Sequence, residues 1–156
     1  EHIKANVSHL GFMLGDEGRG AYLGKLLVGD ILKNQMTPEL KDKFLKQFDL
    51  EPGDIIDRVY RKPFPTRFLA SLSPFLAQNL HEPCVHTLVL NSFKAFLKRN
   101  VMQYDYDHSK VHFIGSVAFH YKEVLAEATQ EMGIQLGTIL KSPMEGLIRY
   151  HKTIDN

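Results

Sequence analysis

An α/β fold is predicted by three features of the 156-residue sequence. Apolar runs of strand length recur at residues 10–14, 111–114 and 134–140. Each run is followed by a stretch suited to a helix, two with apolar residues at helical spacing and one opened by Ser142-Pro143. Glycine or serine punctuates the junctions, at residues 15–20, at Gly115-Ser116 and at Ser142-Pro143. Strands that alternate with helices build a parallel or mixed sheet covered by those helices.

The elements follow in order. After the first strand, the glycine-rich turn at 15–20 leads into Ala21, Leu23, Leu26, Leu27 and Ile31, one helical face with Gly24 and Gly29 as weak points. Residues 37–80 read as a helical block. Thr37-Pro38 is a cap followed by proline at the first helical position, opening a Lys-rich helix to about Gln47. Pro52-Gly53 breaks the chain, and Asp54 is placed to cap a short helix through Arg61, which Pro63 and Pro65 stop. A third helix from Thr66 carries Phe68, Leu69, Leu72, Phe75 and Leu76 on one side, and Pro74 must kink or divide it. Residues 84–102 form the clearest helix, with Val85, Leu88, Val89, Phe93, Phe96 and Leu97 as an apolar stripe and Thr87, Asn91, Lys94 and Lys98 opposite. Residues 104–110 are polar and turn-like. After the second strand, Val117, Tyr121, Val124, Leu125, Ala128 and Met132 predict one continuous helix ended by Gly133. A last helix runs from Ser142-Pro143 to about Lys152. Three strands are few for a sheet in a chain of this length, which fits a segment of a longer protein, as does the lack of an initial Met.

Composition narrows the function. Apolar residues make up 44% and charged residues 24%, which is ordinary globular composition. A net charge of +1 gives no general basic field for nucleic acid or an anionic membrane. No apolar run reaches a membrane-spanning length, and the first residues have no apolar signal core, so a cytoplasmic location is expected. The single cysteine, Cys84, cannot form an intrachain disulfide or hold an iron–sulfur cluster alone.

The chemistry is expected at the two glycine-bearing strand-to-helix junctions, because ligands of open α/β sheets bind beyond the C-terminal ends of the strands. Glycine there lets backbone N–H groups approach a ligand, and a helix N-terminus favours an anion. Neither junction has a Walker or a G-x-G-x-x-G spacing, so a purely conformational role for these glycines stays open. Asp16 and Glu17 add two acids at the first junction. Carboxylates accept paired hydrogen bonds from vicinal hydroxyls such as a sugar offers, and they also cap helices and favour the first helical turn; both readings stand on spacing alone.

The segment Gly11-Phe12-Met13-Leu14-Gly15-Asp16-Glu17-Gly18-Arg19-Gly20-Ala21-Tyr22 resembles the G-x-x-L-G-D-E-G-S-G segment of N-acetylglucosamine kinases and the BadF/BadG ATPase family. Phe64-Pro65-Thr66-Arg67-Phe68-Leu69-Ala70, Ser73-Pro74-Phe75, Ile114-Gly115-Ser116-Val117-Ala118 and Ser142-Pro143-Met144-Glu145-Gly146-Leu147-Ile148 extend the likeness in order along the chain. The resemblance implies a ribonuclease H-like lobe of the actin-like ATPase superfamily: a mixed sheet with helices on its faces, a helical insertion at about 37–103, and initial strands missing. It implies that residues 1–156 are most of the C-terminal lobe of a two-lobe protein. The two phosphate hairpins and the catalytic aspartate would lie upstream.

By the same resemblance the intact protein transfers a phosphoryl group from ATP, with Mg²⁺, to a hydroxyl of N-acetylglucosamine or a related hexose, and this chain alone is inactive. Asp16 would bind a sugar hydroxyl, with Glu17, Gly15 and Phe12 around it. Gly115, Ser116 and Val117 would border the adenosine, with Gly18 also on the nucleotide side. Partners would be the sugar, the N-terminal lobe and, as a homodimer, a second copy, with no nucleic acid and no membrane. Two departures bear on the sugar: Arg19 replaces the family's serine, and Phe12 stands where N-acetylglucosamine kinases carry Trp. Alternatives are an ATPase of the activase branch, disfavoured because Cys84 has no second cysteine, and a sensor that has lost turnover, for which Arg19 is the motive.

Other polar groups read as structural. His108 and His112 straddle the start of a strand, and His81, Cys84 and His86 have no fourth ligand, so no metal site is expected. Lys41, Lys43, Lys46, Lys94, Lys98 and Arg99 read as solvated helix faces.

Overall fold

The computed structural model of the chain describes residues 8–15, 17–63 and 65–142. Asp16, Phe64 and the expected last helix beyond Ser142 lie outside the described residues, as does the side chain of Glu17. The chain forms two compact units, Glu1–Asp16 with Leu90–Asn156, and Glu17–Val89.

The first unit contains the sheet. Strands β1 (Ser8–Met13), β2 (Ser109–Ile114) and β3 (Gln135–Leu140) pair in the order β1-β2-β3, and both pairings are parallel. This is the α/β class that the alternation predicted, and all three described strands run the same way. Leu10 stands opposite Val111 and Phe12 opposite Phe113, which puts these four on one face. Val111 and Phe113 are fully buried there. The other face carries His9, Gly11 and Met13 against Lys110, His112 and Ile114, and Met13 remains 65% exposed.

Residues 90–96, the second half of helix α6 (Pro83–Phe96), bring Phe93 against Tyr121 and Phe96 against Phe12. A π-helical turn, Leu97–Val101, then buries Leu97 and Val101. Lys94 departs from the solvated face expected of it: it is half-buried and forms an ion pair with Glu131. The turn-like stretch before β2 holds a short 3₁₀ turn, Tyr106–His108.

The helix expected after β2 is also corrected. The helix expected to be continuous from Val117 is two helices, α7 (Ser116–His120) and α8 (Lys122–Glu131). Tyr121, at φ −109° and ψ 29°, ends one and begins the next. Its ring is buried and meets Phe93 with centroids 6.1 Å apart. Apolar spacing reports which side is buried, and that side is unbroken; it does not report a change of backbone angle. Gly133, at φ 72°, ends α8 as expected.

The second unit is helical. Helix α1 (Glu17–Leu32) starts inside the stretch read as a glycine turn, so Gly18 and Gly20 are helical residues. Gly24, read as a weak point, is a contact: a Cβ there would lie 2.0 Å from the carbonyl oxygen of Leu69. Helix α4 (Thr66–Leu72) packs along α1 at that point, with Gly20 facing Ala70. Helix α2 (Pro38–Gln47) is capped by Thr37, whose hydroxyl accepts from the Leu40 N–H at 3.2 Å.

Helix α3 (Pro52–Ile56) is followed by a π-helical turn, Asp57–Arg61. Glu51 holds the cap position assigned to Asp54; the Asp54 carboxylate instead accepts from the Glu51 N–H at 2.9 Å, as an acid three residues into a helix can. Pro74 divides α4 from α5 (Pro74–Gln78). Phe44 and Phe75 meet edge-to-face at 5.3 Å in the core. Asn79 is fully buried and satisfied, donating to the Phe75 carbonyl and accepting from the Lys43 ammonium. Lys43 thus also has a structural partner. Among the described residues, no helix is long and apolar enough to cross a membrane.

Candidate functional site

The C-terminal ends of the three strands are stitched together by the two glycine junctions. The Leu14 N–H donates to the Ile114 carbonyl at 2.8 Å, and the Gly115 N–H to the Leu140 carbonyl at 2.9 Å. The Ala118 N–H in α7 donates to the Leu14 carbonyl at 3.0 Å. The Ser116 hydroxyl donates to the Gly15 carbonyl, also at 3.0 Å.

Only glycine permits this crossing. A Cβ on Gly15 would lie 2.3 Å from the Ser116 nitrogen, and one on Gly115 would lie 2.2 Å from the Leu14 oxygen. Gly115 also adopts φ 138°, which disfavours any side chain. The glycines therefore answer a close approach of two chain segments 101 residues apart in sequence.

Of the residues singled out from sequence, the structure brings together Gly15, Gly115 and Ser116, with Val117 next in the chain. Gly115 is buried, while Gly15, Ser116 and Val117 are half-buried at the edge. The Ser116 proton is committed to Gly15, so its oxygen can still accept from a ligand hydroxyl. Phe12 sits one strand-turn earlier, its ring within 6.0–6.3 Å of Tyr104, Phe113 and Phe96 in an aromatic cluster. Gly18 is exposed in the first turn of α1. Arg19 lays its guanidinium over the Tyr22 ring at 4.7 Å, a cation–π contact. Asp16 adjoins Gly15 in the chain but lies outside the described residues.

A second polar cluster was not legible in the sequence. β3 bulges so that Gly137 and Thr138 together face His112. The His112 ring fills the place of a Gly137 side chain, since a Cβ there would lie 2.3 Å from its Cε1. Nδ1 of His112 accepts from the Thr138 N–H at 2.9 Å, replacing a ladder carbonyl. That acceptor role leaves the proton of the neutral ring on Nε2, which faces His9 Nδ1 at 2.7 Å. Burial, then the neighbouring His9 and Lys110, hold the His112 pKa below the ordinary histidine value of 6.5. His108 does not join this cluster; it pairs with Asp105 at 2.9 Å, which raises its pKa.

No protein-family model matches the chain, and no curated protein matches it. Among solved structures it is similar to a proposed N-acetylglucosamine kinase of Porphyromonas gingivalis, with 56% sequence identity and a TM-score of 0.79. The alignment covers 88% of this chain and 49% of that protein, so the chain spans about half the length of its structural relative.

Proposed function

The chain belongs to the BadF/BcrA-type N-acetylglucosamine kinase-like family, and from that premise we propose that it supplies one wall of the sugar and nucleotide sites of an ATP-dependent sugar kinase. In this reading residues 1–156 are most of a C-terminal lobe, partnered by an N-terminal lobe of the same cytoplasmic protein, with the homodimer as its assembly. The acceptor is N-acetylglucosamine or a related hexose. The observation that carries the reading is the meeting of Gly15 and Gly115 at the C-terminal ends of parallel strands, where α/β folds place ligands.

The junction suits the adenosine end of ATP. Ser116 offers an acceptor to a ribose hydroxyl, and Val117 offers half-buried apolar surface beside it. The family holds the triphosphate and Mg²⁺ on glycine hairpins whose motifs do not occur in this sequence. When bound, Mg²⁺ would neutralise charge on the transferring phosphoryl group.

By the resemblance, Asp16, next to Gly15 in the chain, accepts from the sugar hydroxyls; Glu17, Gly15 and Phe12 match further sugar-site positions, and Gly18 a nucleotide-site position. The Ser116–Gly15 hydrogen bond ties the two halves of the site, so a shift of one strand end moves both ligands. No residue of this chain removes the hydroxyl proton; that base belongs to the rest of the protein, and the chain alone is inactive.

The test is sugar-dependent ADP release by the full-length protein and its Asp16→Ala variant. A loss of at least about a hundredfold in kcat/KM for the sugar is expected, which corresponds to removing a charged hydrogen-bond partner of about 3 kcal/mol. Equal rates would overturn the sugar role of Asp16.

A further inference from the structure

We propose that the helical unit carries a binding site for a small phosphomonoester, in the cleft between the π-helical turn Asp57–Arg61 and α4. The cleft has a volume of about 540 Å³ and is lined by Arg58, Lys62, Pro63, Arg67, Phe68 and Ser71 among others. That size is within the range of small-molecule sites. Three of the lining residues are cations, and none is an acid. The nearest carboxylate in sequence, Asp57, pairs with Lys62 at 3.6 Å. Residues 57–71 contain Arg58, Arg61, Lys62 and Arg67 against Asp57 alone, in a chain whose net charge is only +1. The positive charge is therefore concentrated here, and the remainder of the chain is net negative. Like charges gathered on one cleft repel each other, and an anion between them removes that cost.

The chemistry of the lining narrows the ligand. Arg58 lies over the Phe68 ring at 4.1 Å, which fixes the plane of its guanidinium and presents its edge. Arginine forks match the oxygens of a phosphate, and two arginines with a lysine suit a dianion better than a carboxylate. The Ser71 hydroxyl donates to the Phe68 carbonyl at 2.5 Å, so it can only accept and would meet a ligand hydroxyl rather than the phosphate. Pro63 and Phe68 add apolar wall for a ring-like body. The π-helical turn that places Arg58 is a form often found at functional sites. The site is independent of the sugar-kinase reading, since it uses none of the residues assigned there.

Phenyl phosphate, titrated calorimetrically into the full-length protein at low ionic strength, is the probe. One saturable site is expected, with affinity reduced about tenfold or more in Arg67→Gln and in Arg58→Gln, because each removes a charged hydrogen bond. Arg67 is exposed, so its variant keeps the fold, and an unchanged melting temperature checks this. Lys46→Gln, an exposed cation on α2, leaves the affinity unchanged. Inorganic phosphate binds more weakly than phenyl phosphate, because it cannot use the apolar wall. The proposal is overturned if Arg67→Gln and Arg58→Gln bind as tightly as the parent, if Lys46→Gln weakens binding as much, or if inorganic phosphate binds equally well.

Discussion

The sheet unit and the helical unit are held by contacts of different reach. In the helical unit much of the order is set within a few residues: Thr37 caps α2, Asp54 closes on Glu51, and Pro74 divides α4 from α5. In the sheet unit the decisive contacts join residues about a hundred apart, as with Ser116 to Gly15 and His9 to His112. Local contacts repeat wherever the sequence repeats them. Distant ones require a particular backbone crossing, and here that crossing also forms the proposed ligand wall.

The strongest way to break this contrast is at Gly115. Alanine there combines a disfavoured φ with a Cβ overlapping the Leu14 oxygen, and a destabilisation of about 3 kcal/mol or more is expected in urea unfolding. Loss of nucleotide binding should accompany it. A change below about 1 kcal/mol would mean that the crossing is not needed.

The helical unit provides a sharper test inside one helix. In α1, Gly24→Ala drives a methyl into the Leu69 carbonyl and should destabilise by about 2 kcal/mol after the gain in helix propensity. Gly29→Ala meets nothing within 4 Å and should stabilise by about 1 kcal/mol. Thermal melts of the two variants must move in opposite directions if α4 packs on α1 through Gly24.

The smallest effect concerns His112. Its folded pKa is lowered, so below about the ordinary value of 6.5 the unfolded chain takes up a proton that the fold resists. Its contribution is present above that pH and is lost as the pH falls through the folded value. His108 has the opposite sign, because its pKa is raised by Asp105: its contribution is present below 6.5 and fades as pH rises through the folded value. The stability difference between the parent and His112→Gln should therefore shrink as pH falls from 8 to 5, while a difference that grows would contradict the hydrogen bond to Thr138.

The same contrast explains what the sequence reveals. The strands, the cap at Thr37, the stop at Gly133 and the division at Pro74 are written in nearby residues, and the resemblance to N-acetylglucosamine kinases rests on contiguous motifs. Gly15, Gly115 and Ser116 could be singled out because they interrupt apolar runs. The reason they are needed could not, since the clashing atoms lie on another strand. For the same reason Gly24 read as a weakness, Gly137 gave no signal of the His112 ring it admits, and the break at Tyr121 was invisible in a continuous apolar face. Lys94 read as solvated because Glu131, its partner, is 37 residues away.

The most direct test of the central claim is a crystal structure of the full-length protein with N-acetylglucosamine and a non-hydrolysable ATP analogue. The account predicts a sugar hydroxyl within hydrogen-bond distance of the Asp16 carboxylate and the ribose against Gly115 and Ser116. A sugar bound with no contact to residues 12–17, or a nucleotide seated away from Gly115, would contradict it.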